Sequence, residues 1–308
     1  MCSLTLSKGV QNYGKFSYFL HLLFKNMSQE PNSSDFTAEI PHYKLFGRSW
    51  KASNQRAVIC IIHGFGEHLG RYTHVAQFLA QNGISSYALD LPGHGKSSGK
   101  RGVIRSLQDF ILAVDLLYER TLEENPDVPI FLYGHSMGGG IVLRYLLLTA
   151  NPPAGALITS PWLRLVKNPN AAAIVLGRIA LNFGLNPVRN TKLNPDDLSR
   201  DTRVGKAYNQ DALVHHKASL RLYFDLGDNG TYLMHKEFDF RTPVLLAHGT
   251  ADKITQYDAS VKLAESHQSQ IQFKSWSDLR HETHNELNKD EVLQFYTQWI
   301  LDQTKKPA

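Results

Sequence analysis

A chain of 308 residues exceeds what a single hydrophobic core needs yet falls short of two full domains, so one core carrying a sizeable insertion fits its length. Apolar residues make up 42% and charged residues 20%, with no low-complexity tract or internal repeat, which places the chain among ordinary globular proteins. The formal charge of +5 is scattered singly among acids and is densest only in GKRGVIR (Gly99 to Arg105) and a terminal KK. A nucleic-acid surface would gather its basic residues with interleaved aromatics, so no nucleic-acid partner is expected, and the charge is left with a mild pull toward anionic lipid surfaces.

Near the N-terminus FSYFLHLLF (Phe16 to Phe24) resembles a signal h-region or a membrane contact, but nine residues cannot span a bilayer and no small-residue cleavage site follows. Met27 followed by SQEPNSSD reads as an alternative start, which would leave the first 26 residues outside the folded protein; residues 1–34 are expected to form a disordered or apolar tail. Cys2 lies in that tail and Cys60 in the apolar run AVICII, a distribution that supports neither a structural disulfide nor a metal site.

From Phe36 to Trp50 short alternating stretches broken by Pro41 predict an opening pair of edge strands. Continuous apolar runs then follow at Val58 to Ile62, Ile84 to Leu89, Ile130 to Tyr133, Gly155 to Thr159, Val244 to His248 and Ile271 to Trp276. Helical patterns fill the gaps at Tyr72 to Gln81, Leu107 to Leu122, Gly139 to Thr149, Tyr257 to Ser266 and Lys289 to Asp302, the last preceded by Asn288 and Glu291 as a capping-box variant. Unbroken apolar strands separated by helices predict a parallel sheet covered on both faces.

The alternation fails between Trp162 and Phe240, where the chain is helical in character and offers no clear strand. Residues 162–241 are therefore expected to form a helical cap inserted between core segments 35–161 and 242–304, placed over the C-terminal end of a strand. Within it Ala171 to Leu185 is apolar enough to be an interfacial helix, although such stretches are more often the cap's own core.

Gly134-His135-Ser136-Met137-Gly138 matches G-x-S-x-G between a strand and a helix. A sharp turn there strains its central residue and leaves no room for side chains two positions either side, so Gly134 and Gly138 are required, while Gly139 and Gly140 let the helix pack close beneath the sheet. Two phosphate-binding look-alikes fail by count: DLPGHGKS has Asp90 where a P-loop needs its first glycine, and GFGEHLG has one residue too many before its third glycine.

An activated serine needs a histidine and an orienting acid, in the chain order Ser, Asp or Glu, His. Asp252 lies just past the strand in PVLLAHGTADKIT and is favoured over Asp258, which falls in the next helical pattern. For the base, SDLRHETHNEL offers His281 and His284, which spacing does not separate; most of the other twelve histidines read as surface, capping or turn residues. The oxyanion donors are expected from the amides of Met137 and, in IIHGFGEH, of Phe65, with His63 bracing that loop.

The motifs HGFGEHLGRY, ALDLPGHGKSSG, GHSMGG, HGTADKIT and LRHETHNE together resemble the monoacylglycerol lipase-like family of α/β-hydrolases, a serine-nucleophile group that includes lysophospholipase-type enzymes, over about Phe36 to Asp302. The resemblance implies a mostly parallel eight-stranded sheet with helices on both faces and a mobile, apolar-edged cap, inserted before the last two strands, that admits a single acyl chain. It assigns Ser136 as nucleophile, Asp252 as acid, His281 as base, and Phe65 and Met137 as backbone donors. Phe65 stands where many relatives carry a small residue, which makes the shape of the acyl pocket particular to this chain.

The expected activity is hydrolysis of a monoacyl lipid ester, with no metal or organic cofactor, and the expected location is cytoplasmic with room for a peripheral membrane contact through the cap. The alternatives are another acyl transfer or aminopeptidase action on the same triad, since the triad fixes chemistry and the cap fixes substrate, or a binding protein that keeps the fold without catalysis.

Overall fold

The computed structural model describes residues 32–191, 193–235 and 239–305; the Phe16 to Phe24 stretch, Cys2 and the Met27 start lie outside them. The chain opens with β1 (Asn32–Ile40) and β2 (Tyr43–Lys51), antiparallel from Asn32 opposite Lys51 to Ile40 opposite Tyr43. The first strand thus starts three residues before the expected boundary at 35, because backbone pairing continues through Asn32, Ser33 and Ser34 without needing apolar side chains. Of this expected pair of edge strands only β1 lies at an edge, since β2 also pairs antiparallel with β4 (Ile84–Leu89).

The strands β3 (Ala57–Ile62), β4 (Ile84–Leu89), β5 (Ile130–His135), β6 (Gly155–Thr159), β9 (Val244–Gly249) and β10 (Ile271–Trp276) run parallel, giving eight strands in the order β1-β2-β4-β3-β5-β6-β9-β10. Their apolar runs are continuous because successive side chains enter two different cores. Val58, Cys60 and Ile62 of β3 face one side, and Ala57, Ile59 and Ile61 the other; Leu246 and Leu245 of β9 divide in the same way.

The first side is covered by α2 (Gln108–Glu124), α3 (Met137–Leu146), α6 (Leu220–His235) and α7 (Tyr257–Ser266), and the second by α1 (Thr73–Gln81) and α8 (Lys289–Gln303). Ahead of α8, Asn288 does not cap the helix through its side chain; its Nδ2 instead donates to Glu291 Oε2 at 2.9 Å, so the expected capping box is a side-chain pair.

Between β6 and β9 lie α4 (Ala171–Asn182), α5 (Thr202–Gln210) and α6, together with β7 (Val188–Asn190) and β8 (Lys217–Ser219), which pair antiparallel. This two-stranded sheet corrects the expectation of no strand; three residues are too short for an alternating pattern to show in sequence. Helix α4 buries only Gly177, packed against Phe224 of α6, and turns its apolar residues outward: Leu176 is 66% and Phe183, just beyond it, 79% exposed. The reading of this stretch as cap core is therefore overturned.

Leu246 of β9 is fully buried on the face of the sheet covered by α2, α3, α6 and α7. Leu246→Ala is expected to cost about 2–5 kcal/mol, seen as a lowered guanidinium midpoint at unchanged slope.

Candidate active site

The turn from β5 into α3 places Ser136 at φ 53°, a left-handed conformation costly for a residue with a side chain. It is held from both sides: its N–H donates to Thr159 O at 2.9 Å, and its carbonyl accepts from Gly140 N at 3.1 Å and Trp162 N at 2.8 Å. A Cβ on Gly134 would lie 2.6 Å from Gly138 O, and one on Gly138 would strike Ile62 O and come 2.6 Å from His63 O. The two glycines are thus demanded by different neighbours, one by the helix and the other by the end of β3. Gly139 and Gly140 face Ile158, Pro161 and Trp162, so the helix nestles against β6 and its exit.

Past β9, the side chain of Asp252 is fully buried and accepts five hydrogen bonds. Oδ1 takes Ile254 N (2.7 Å) and Thr255 N (3.1 Å); Oδ2 takes Thr255 Oγ1 (2.8 Å), His248 Nε2 (3.0 Å) and His281 Nδ1 (2.7 Å). Burial alone would raise its pKa, but the two imidazoles hold the carboxyl well below its ordinary range. Asp258 sits exposed in the first turn of α7.

His281 is buried beside Asp252, in the loop after β10, and its ring lies 4.8 Å from that of His135. Burial would depress its pKa, yet the carboxylate keeps it above 6.5. His284 goes elsewhere: Tyr133 Oη is 3.1 Å from its Nδ1, its ring stacks on Tyr72, and burial drives its pKa down to about 3. The structure therefore brings Asp252 and His281 together and separates His284 from both. His248 and Thr255, the other partners of Asp252, were not found from sequence; His248 lies four residues before the aspartate, but on no helix that would give that spacing meaning.

Residues 53–288 match the family model described as "Serine aminopeptidase, S33", also called Hydrolase_4. The chain belongs to that family. It is an α/β-hydrolase and a carboxylic ester hydrolase. A monoacylglycerol lipase of Mycolicibacterium smegmatis is 33% identical over 255 residues, covering 81% of this chain and 89% of the relative. An abhydrolase domain-containing protein of Dictyostelium discoideum is 34% identical over 249 residues, 80% of this chain, and the chain spans only 26% of that protein's length. A soluble variant of monoglyceride lipase from Saccharomyces cerevisiae, solved with a substrate analog, shares the fold at a TM-score of 0.80 and 24% identity, covering 91% of this chain and 97% of its own.

In this hydrolase Ser136 and His281 line a cavity of about 320 Å³ whose walls include Phe65, Leu165, Leu198 and Ile254. His63 braces the loop that carries Phe65: its Nε2 accepts from Leu91 N at 3.0 Å, which leaves Nδ1 to donate to Gly64 O at 2.7 Å. The P-loop look-alike folds around its own acid, with Leu69 N and Lys96 N donating to Asp90.

One end of the cavity holds a buried cluster that sequence reasoning missed. Arg71 grips Glu282 through two hydrogen bonds, at 2.7 and 2.8 Å, and also donates to Glu67; Glu67 Oε1 accepts from Gly64 N at 2.6 Å and Tyr72 Oη at 2.7 Å. Burial raises Glu67, whereas the bidentate Arg71 outweighs burial at Glu282 and holds that carboxyl below its ordinary 4.5. Glu282 thus stabilises the fold above pH 4.5, and this contribution is lost as pH falls below that value.

Removing the cation strands two carboxylates. Arg71→Leu is expected to destabilise by about 3–5 kcal/mol at pH 7 in guanidinium melts, with the gap to wild type narrowing below about pH 4.5.

Proposed function

We propose that the hydrolase cleaves monoacyl lipid esters, of the monoacylglycerol or lysophospholipid type, through Ser136, His281 and Asp252. Ser136 Oγ attacks the ester carbonyl while His281 Nε2 takes its proton, then returns it to the departing alcohol. A water molecule activated by the same nitrogen attacks the acyl-enzyme, releasing the fatty acid and restoring Ser136. The Phe65 and Met137 amides receive the negative oxygen at each tetrahedral stage.

The observation that carries this reading is the 2.7 Å contact between His281 Nδ1 and Asp252. An acceptor-only carboxylate fixes the proton on Nδ1, making Nε2 the basic nitrogen of a ring that shares the cavity wall with Ser136. Leucine and isoleucine walls suit an acyl chain, and the M. smegmatis relative bears the name monoacylglycerol lipase.

The family description favours a second reading, aminopeptidase action. A free substrate amine needs an uncommitted carboxylate. Glu67 and Glu282 in the cavity wall are committed to Arg71, which leaves Asp197 as the acid of that wall open to an amine; the apolar remainder of the lining favours the ester.

Ser136→Ala is expected to abolish turnover of p-nitrophenyl butyrate and labelling by a fluorophosphonate. In a panel of monoacylglycerol, lysophospholipid and a proline p-nitroanilide, the esters should turn over and the amide should not; a faster amide would favour the second reading.

His281 must be neutral to accept a proton. Since its pKa lies above 6.5, kcat/KM of the wild type should rise with pH through a midpoint above that value. Asp252→Asn should lower kcat by about 10⁴ by releasing the tautomer, and shift the midpoint down.

We also propose a peripheral membrane contact through α4, supported by its outward Val175, Leu176, Ile179 and, just beyond, Phe183 and Leu185. Leu176→Ser with Phe183→Ser should reduce co-sedimentation with phosphatidylcholine–phosphatidylglycerol vesicles and leave p-nitrophenyl butyrate hydrolysis unchanged. Undiminished sedimentation would remove the proposal.

A further inference from the structure

The loop expected to supply an oxyanion donor does not stand on the sheet alone. Gly64 to His68 leaves the end of β3 and is touched on its outer side by the turn Asp211 to His215, which follows α5 in the segment between β6 and β9. Two bonds close this contact. His215 N donates to Gly66 O at 2.8 Å, and His68 Nε2 pairs with Asp211 Oδ2 at 2.8 Å.

The direction of the second bond follows from local geometry. His68 caps the short 3-10 turn Leu69–Tyr72, its Nδ1 accepting from Gly70 N at 3.2 Å, so in the neutral ring the proton sits on Nε2 and points at Asp211. Asp211 is set in turn, since its Oδ1 accepts from Leu213 N at 2.9 Å.

Between the two bonds the backbones approach closely. Gly66 has φ 74°, and a Cβ there would strike His215 O. The Phe65 ring meets His215 edge-on at 5.8 Å and Trp162, beyond the end of β6, at 6.3 Å. On the inner side Glu67 holds Gly64 N. Gly64 and Gly66, on either side of Phe65, are therefore tied down, and the two hydrogen bonds on the outer side come from the inserted segment, while the Phe65 ring also meets His94, in the loop after β4, edge-on at 6.3 Å.

We propose that Asp211 is a positioning residue for the oxyanion loop, acting through His68, so that the turn Asp211 to His215 must be docked for the Phe65 amide to face the reacting carbonyl. This rests on the reading of Ser136 as nucleophile and Phe65 as donor. Phe65 itself gains a role: its ring is seated among Trp162, His215 and His94, coupling the donor's position to both the inserted segment and the loop after β4.

The test uses the whole chain with p-nitrophenyl butyrate, whose short acyl group makes few demands on the cavity, and with a trifluoromethyl ketone, which adds to an active serine to give a bound oxyanion. Loss of a whole donor costs ~10²–10³ in rate; a displaced one is expected to cost about tenfold in kcat for Asp211→Ala, with KM changed less than about twofold and ketone affinity reduced by the same tenfold. Asp211→Asn keeps a single acceptor oxygen for the two donors, Leu213 N and His68 Nε2, that the carboxylate serves with one oxygen each, and should fall between wild type and Asp211→Ala in kcat. His68→Asn keeps a side chain able to cap Gly70 N but is too short to reach Asp211, and should match Asp211→Ala; the double variant should be no worse than either single one.

Wild-type kcat and ketone affinity in Asp211→Ala, or a loss confined to KM, would overturn the proposal. If Asp211→Ala does not fold, His68→Asn carries the test; if neither folds, the bridge is a folding element and the positioning role falls. Ser136→Ala separates the two levels: activity retained there brings down the nucleophile assignment itself, whereas a dead Ser136→Ala beside an unimpaired Asp211→Ala overturns only the inference about Asp211.

Discussion

A serine held at φ 53° is the constraint around which this molecule is arranged. Such a conformation costs of order 1–3 kcal/mol and persists only where the surroundings over-determine it. Here they do so through three parallel strands at once. β6 supplies the carbonyl that receives Ser136 N–H, the end of β3 occupies the space a side chain at Gly138 would need, and the helix that β5 feeds closes against Gly134. The sheet order β3-β5-β6 is what lets three separate segments converge on one turn.

A second constraint is electrostatic. The C-terminal edge of the sheet buries several ionisable groups: Asp252 with its five donors, and Arg71 with Glu67 and Glu282. Each would be costly alone and is tolerated because its partners saturate it. His281 and Glu282 are adjacent in sequence, yet one answers to Asp252 in the loop after β9 and the other to Arg71 in the 3-10 turn ahead of α1. A single short loop is thereby pinned between two charge clusters, which fixes the imidazole more firmly than either would.

The parallel core was legible because its strands are doubly buried and leave unbroken apolar runs, with helices of ordinary length between them. Ser136 was legible because a strained turn restricts its neighbours to glycine. Other features left no such mark. β7 and β8 are too short to show alternation, and the capping of α8 turned into a side-chain pair because both variants fit the same residue types. The outward apolar face of α4 has the composition of a core helix, and only its packing on Phe224 through Gly177 shows which side meets solvent.

What the sequence alone determined is what local geometry and periodicity dictate: the order of strands and helices, the kinked serine, and an acid placed just past a late strand. Tertiary structure decided everything that depends on which distant groups meet. It put His281 rather than His284 on Asp252, placed His248 as a second donor, and joined Glu67 and Arg71 to Glu282 more than two hundred positions away. The physical reason is that a hydrogen bond or ion pair acts over a few ångströms, and the separation of two residues along the chain says nothing of that distance until the sheet has brought their loops to the same edge.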